Sequence, residues 1–143
     1  MFIDSQLLLS DAQALTATAD STNVIDLGSD RDVGRGCPMA LFISVDVAAD
    51  VASGNETYQF QLETDDNAGM SSSTIVADAT IDKTALTAGS RHVIPMGITN
   101  ERYLQGVYTL GGTSPSVTIT ASVQPMDMVA TEDVVYASGY SVN

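Results

Sequence analysis

The chain has 143 residues, enough for one domain that folds without disulfide staples. Cys37 is the only cysteine and His92 the only histidine, which excludes an intrachain disulfide and a zinc site built from Cys and His. Five Lys+Arg against 18 Asp+Glu give a net charge of −13, a field that repels phosphate backbones and anionic lipid surfaces, so neither nucleic acid nor membrane is an expected partner.

The start, Met1-Phe2-Ile3-Asp4, carries acid where a signal peptide needs a basic region, and Leu7-Leu8-Leu9 is too short for its apolar region. No stretch approaches the ~20 apolar residues of a membrane-spanning helix. The expectation is a chain made in the cytosol that stays soluble. Residues 1–9 read as an apolar, extended arm. Ser10 to Ala19 is the one helix candidate, because Ser10-Asp11-Ala12-Gln13 resembles a capping box. It lacks an apolar stripe of period 3.6.

From Thr22 onward the dominant period is two. Thr22 to Leu27 is a short strand. In Met39 to Val47, Leu41, Ile43, Val45 and Val47 face one way and Ser44 and Asp46 the other. Phe42 breaks the polar face, which suggests a strand covered on both sides. Glu56 to Thr64 sets Tyr58, Phe60 and Leu62 against Gln59, Gln61 and Glu63. Thr74 to Ile81 follows, then a single helical turn over Lys83 to Ala88. Arg91 to Met96 is a strand whose Pro95 favours an edge or a strand end. In Arg102 to Leu110, Gly106 marks a bulge or a close backbone approach. Ser116 to Val123 alternates Val117, Ile119, Ala121 and Val123 with hydroxyl residues.

Glycine-, serine- and proline-rich turns separate these segments. Residues 125–143 form a second candidate arm, a further strand of the same domain or a reach toward a neighbouring subunit. The pattern describes one all-β domain over 1–143, about eight short antiparallel strands with little helix, in a sandwich or a barrel.

Constellations for chemistry are sparse, and no cofactor is expected. His92 lies in a strand and reads as an edge residue, with no second imidazole to assist it. Cys37 sits in a Gly-Cys-Pro turn. With 18 acids, carboxylate pairs arise by chance and do not identify a glycosidase. Asp30-Arg31-Asp32 and Asp65-Asp66-Asn67 place hard oxygen ligands in loops, yet neither has EF-hand spacing, and Arg31 favours local charge pairing. Gly34-Arg35-Gly36 lacks the Lys-Ser/Thr of a phosphate loop and precedes a strand. The reading is therefore not an enzyme.

The order of segments carries more than any single motif. Leu9-Ser10-Asp11-Ala12-Gln13-Ala14-Leu15-Thr16-Ala17-Thr18-Ala19 precedes Ser21-Thr22-Asn23-Val24-Ile25-Asp26-Leu27-Gly28. Then come Tyr58-Gln59-Phe60-Gln61-Leu62-Glu63-Thr64-Asp65, Leu86-Thr87-Ala88-Gly89 and Val93-Ile94-Pro95-Met96. Glu101-Arg102-Tyr103-Leu104 and Tyr108-Thr109-Leu110-Gly111-Gly112 close the series. From Met1 to about Met128 it resembles the capsid cement, or decoration, proteins of tailed bacteriophages.

That resemblance implies a jelly-roll-like antiparallel β-sandwich that oligomerises on the outer surface of an icosahedral head. There it would bind across major capsid protein subunits and brace the shell against packaged DNA. It brings no catalytic residues. The implied partners are the major capsid protein and further copies of the chain, as a homodimer or homotrimer. Candidate capsid or subunit contacts are the apolar residues of the two arms: Phe2, Ile3, Leu7, Leu8 and Leu9, then Met126, Met128, Val134, Val135 and Tyr136. The rival reading is a receptor- or carbohydrate-binding module of a phage tail, which the absence of tryptophan disfavours. A small enzyme on a jelly-roll scaffold would need more histidines than one.

Overall fold

In a computed structural model that describes residues 3–128, with the Met128 side chain excepted, eight antiparallel strands build two four-stranded sheets. The strands are β1 (Leu8–Leu15), β2 (Ala19–Asp26), β3 (Met39–Val47), β4 (Thr57–Asp65), β5 (Thr74–Ile81), β6 (Arg91–Pro95), β7 (Tyr103–Gly111) and β8 (Val117–Pro125). One sheet runs β1-β8-β3-β6 and the other β2-β7-β4-β5. The pairs nest, first with last, second with seventh, third with sixth and fourth with fifth. That is the order of a jelly roll, two interlocked Greek keys folded from one long antiparallel ribbon.

Alternation along each strand decides what is buried. Leu41, Ile43 and Val45 of β3 and Val117, Ile119, Ala121 and Val123 of β8 face inward from the first sheet. Tyr58, Phe60 and Leu62 of β4 meet them from the second, with Leu104, Tyr108 and Leu110 of β7. The Phe60 and Tyr108 rings lie 5.8 Å apart at 60°, the tilted arrangement that aromatic quadrupoles prefer.

Ser10 to Ala19 is not a helix. β1 pairs with β8 over most of that stretch, with register shifts between Leu8 and Ser10 and between Ser10 and Gln13. Ala12 sits at φ 46° between them. The residues that resemble a capping box bracket this bulge instead. Ser10 Oγ donates to Gln13 Oε1 at 2.6 Å, which uses its one proton, so the Tyr108 hydroxyl donates to Ser10 Oγ at 2.8 Å. Gln13 in turn bonds the β2 backbone at Asp20 O and the Thr22 amide. This chain of bonds ties β7 to β1 and β2 across the sandwich. Long-range pairing prevailed because the segment has no apolar helical stripe to bury.

Gly106 is the close approach expected of it. A Cβ there would lie 2.7 Å from the Tyr108 hydroxyl, and its amide donates to Ser21 Oγ at 3.0 Å. The turn at Lys83 forms as a 3-10 turn, Lys83–Ala85, capped by Asp82. Its Lys83, the only lysine, reaches the buried Glu56 carboxylate at 3.4 Å, which also accepts the Ser53 amide at 2.7 Å. β6, with its terminal Pro95, is an edge strand as expected.

A candidate interaction surface at one end of the sandwich

The β2–β3, β4–β5 and β6–β7 connections share one end of the sandwich with both termini of the described chain. Backbone bonds tie them together. Val33 and Thr99 form an isolated bridge, the Gly97 amide bonds Val76 O, and the Met126 amide bonds Pro38 O. Leu27 N–H donates to Arg102 O, and Arg31 Nε donates back to Leu27 O at 3.0 Å. The connections therefore present one continuous surface on a rigid frame.

Three of the five cations lie at this end: Arg31, Arg35 and Arg102. Arg102 grips the Asp26 carboxylate with two bonds of 2.7 and 3.0 Å and stacks 5.0 Å above the Tyr103 ring. Four large apolar side chains are exposed here, Ile98 at 60% together with Ile3, Ile75 and Met126. Two open recesses of about 280 and 300 Å³ meet at Arg31. Leu7, Ile25 and Leu27 line one, and Asp30, Asp32 and Asn100 the other. Exposed apolar side chains interspersed with arginines suit contact with another protein surface.

The acidic loops serve the fold. Asp65 is buried, and its oxygens accept the Ser72 amide at 2.7 Å and the Asn67 amide at 3.0 Å. Asp32 faces Arg35 at 3.8 Å. Among the described residues no group of three or more His, Cys, Asp or Glu side chains is placed to hold a metal ion. His92 lies half-buried on the edge strand, its Nε2 3.1 Å from Ser90 Oγ, and burial pushes its pKa down. Cys37 is exposed and free.

Three carboxylates, Asp26, Asp65 and Asp82, lend stability that acid removes. Hydrogen bonds from Arg102, then from the Gly28 amide, hold Asp26 at about 2. The Ser72 amide lowers Asp65, and the Thr84 hydroxyl and amide lower Asp82. Each group favours its charged form in the fold. The stability they lend is complete above the ordinary carboxylate value of 3.8 and is lost as the pH falls below it, for Asp26 as it approaches 2. Thermal melts between pH 5 and pH 2 are expected to show this loss. Asp26→Asn should make the acid limb shallower, and an unchanged limb would refute the assignment.

The sequence candidates divide among several environments. Ile3 and Met126 are exposed at this end. Leu7 packs partly on the core, Leu9 is fully buried within it, and Leu8 pairs with Ser122 in the ladder. Leu9 turns inward by alternation from Leu8, and the bulge keeps the next residue, Ser10, inward as well. Strand β1 thus claims part of the N-terminal arm, and β8 extends to Pro125. Met128 closes the 3-10 turn Met126–Met128. Phe2, Val134, Val135 and Tyr136 lie outside the described residues. Ile98 escaped the sequence reading, and Ile75, which alternation sets on one face with Ala77, Ala79 and Ile81, is exposed beyond a register shift between β4 and β5. The one available signal was an isoleucine between Gly97 and Thr99 in a turn.

No curated protein matches the chain. A family model described as Bbp16 matches residues 9–124. That span opens in β1 and ends in β8, so it takes in the whole sandwich and most of the chain. The chain belongs to the Bbp16 family.

Proposed function

We propose that the chain is a structural virion protein, a capsid cement or decoration protein. In this reading it binds the outer surface of an icosahedral phage head, bridges major capsid protein subunits, and holds the shell against the pressure of packaged DNA. The role is non-catalytic, and the partners are the capsid protein and further copies of the chain. The observation that carries the reading is the loop end, where Ile98, Ile75, Ile3 and Met126 stand exposed beside Arg31, Arg35 and Arg102 on a hydrogen-bonded frame. A strongly acidic body keeps free copies apart in solution. A small apolar end then makes a modest contact that is multiplied over a lattice.

The test is co-sedimentation of purified protein with heads that lack it. Saturable binding at a fixed ratio to capsid protein is expected. Ile98→Asp should weaken that binding at least tenfold while leaving the melting temperature close to wild type, because Ile98 contributes little to the core. A truncation of residues 1–6 examines the N-terminal contribution without cutting into β1. Absence of wild-type binding over a range of salt, with specific glycan binding instead, would favour the rival tail module.

A further inference from the structure

A sheet edge offers unpaired backbone groups to any extended segment that meets it, and folded proteins keep such edges short, paired or blocked. Three of the four edges here are defended. β1 and β2 lie side by side, and their side chains bond each other's backbone: Thr22 Oγ1 donates to Leu9 O, and Gln13 Nε2 donates to Asp20 O. β6 has five residues and ends in Pro95, which has no N–H to offer.

β5 is the exception, and the bonding pattern of its sheet shows why. The Gly106 and Leu110 amides of β7 reach Ser21 and Thr18, so even-numbered residues of β7 aim their backbone at β2 and odd-numbered ones at β4. Odd residues of β4 answer them, which leaves Tyr58, Phe60 and Leu62 to bond β5. Their partners are Ile81, Ala79 and Ala77. The N–H and C=O groups of Asp78 and Thr80 therefore point outward, and among the described residues nothing bonds them. Both residues are exposed.

Charge selects the occupant. A second copy would set β5 against β5, bringing two Asp78 carboxylates onto one short ladder between bodies of net charge −13. Asp78 accepts one bond from Gln59 Nε2 and keeps its charge for a cation on the incoming strand. We propose that β5 accepts an extended segment of a different protein, carrying a basic side chain opposite Asp78, as a fifth strand of the β2-β7-β4-β5 sheet. Resting on the cement reading above, that protein is the capsid protein. β5 starts at the loop end, where Ile75 is 50% exposed, so one capsid segment can run from the apolar end along the edge.

Hydrogen exchange and mutation test this. In dilute free protein the Asp78 and Thr80 amides should exchange fast while those of Ala77, Ala79 and Ile81 stay protected. On wild-type protein bound to heads, the two fast amides should slow at least tenfold. Thr80→Pro removes an outward N–H that the fold does not use, so it should melt near wild type and bind heads at least tenfold more weakly. Asp78→Lys should weaken binding comparably without altering the backbone. Slow exchange of both amides in dilute free protein would overturn the proposal, and slowing that grows with concentration would give the edge to a second copy. Wild-type binding without slowed exchange, or undiminished binding by both variants, would overturn the edge and leave the cement function standing. No wild-type binding would overturn both.

Discussion

Replacing Tyr108 with alanine is expected to cost about 3–5 kcal/mol of folding stability, the range for removing a buried aromatic side chain. The side chain is fully buried between the sheets, and its ring packs on Phe60. The substitution leaves a cavity lined by a close-packed core and cuts the chain of bonds through Ser10 and Gln13 that joins three strands. Tyr108→Phe separates the two effects. It keeps the ring and loses one hydrogen bond, so it should cost about 1 kcal/mol. Urea unfolding monitored by circular dichroism reads both values. An alanine variant within 1 kcal/mol of wild type would refute the account.

The same residue predicts an alkaline limit. Burial pushes the Tyr108 hydroxyl up to about 12, and burial raises Tyr58 as well. A phenol whose folded value exceeds the ordinary 10 holds its proton more tightly in the fold than in the unfolded chain. Its stabilisation is complete below pH 10 and is lost as the pH climbs toward 12. Melts of the Tyr108→Phe variant should fall less steeply over that interval than those of wild type.

The second large effect is expected from Gly112→Ala. Gly112 adopts φ +91°, where side chains other than hydrogen are strained at about 1–3 kcal/mol. An added Cβ would also press on the backbone of the β3–β4 loop, against Asn55 O and 2.7 Å from Glu56 Cα. Neither neighbour can yield freely. Asn55 holds the β7–β8 turn with bonds to the Thr113 amide and hydroxyl, and Glu56 is buried against Lys83. Overpacking of this kind adds a further ~1–3 kcal/mol. Gly89→Ala is the control, since that glycine also has a positive φ but faces open space. The Gly112 variant should lose clearly more stability than the Gly89 variant. Equal losses would mean that strain alone, without the clash, accounts for both.

Seven of the eight strands were legible in the sequence because each carries its own signal; β1 was not, and read as a helix candidate. Tyr58-Gln59-Phe60-Gln61-Leu62 alternates cleanly, Thr74 to Ile81 begins and ends where the chain shows it, and Pro95 marks the end of an edge strand. Phe42, the one apolar residue on a polar face, already pointed to cover on both sides of β3. These are local facts, set by side-chain polarity at period two and by turn residues between the runs. The β1 bulge was not legible. Ser10, Asp11 and Gln13 satisfy a helix cap as well as a bulge, and the choice between them lay with Thr120, Asp20 and Tyr108, all distant in sequence or on another strand.

The surface at the loop end was equally a product of the tertiary structure. Ile98, Arg31, Arg102 and Met126 come from separate connections and meet only when the nested strand pairs close. Leu9 shows the converse, an apolar residue of a candidate arm that pairing of β1 with β8 placed in the core. By itself the sequence determined the class of fold, seven of its eight strands, the acidic field and the scarcity of catalytic groups, all of which follow from residue type and short-range order. Strand order, the inward face of β1 and the identity of the exposed end were decided by tertiary structure alone. They depend on which distant segments pair, and pairing is selected by the shared burial of many side chains at once.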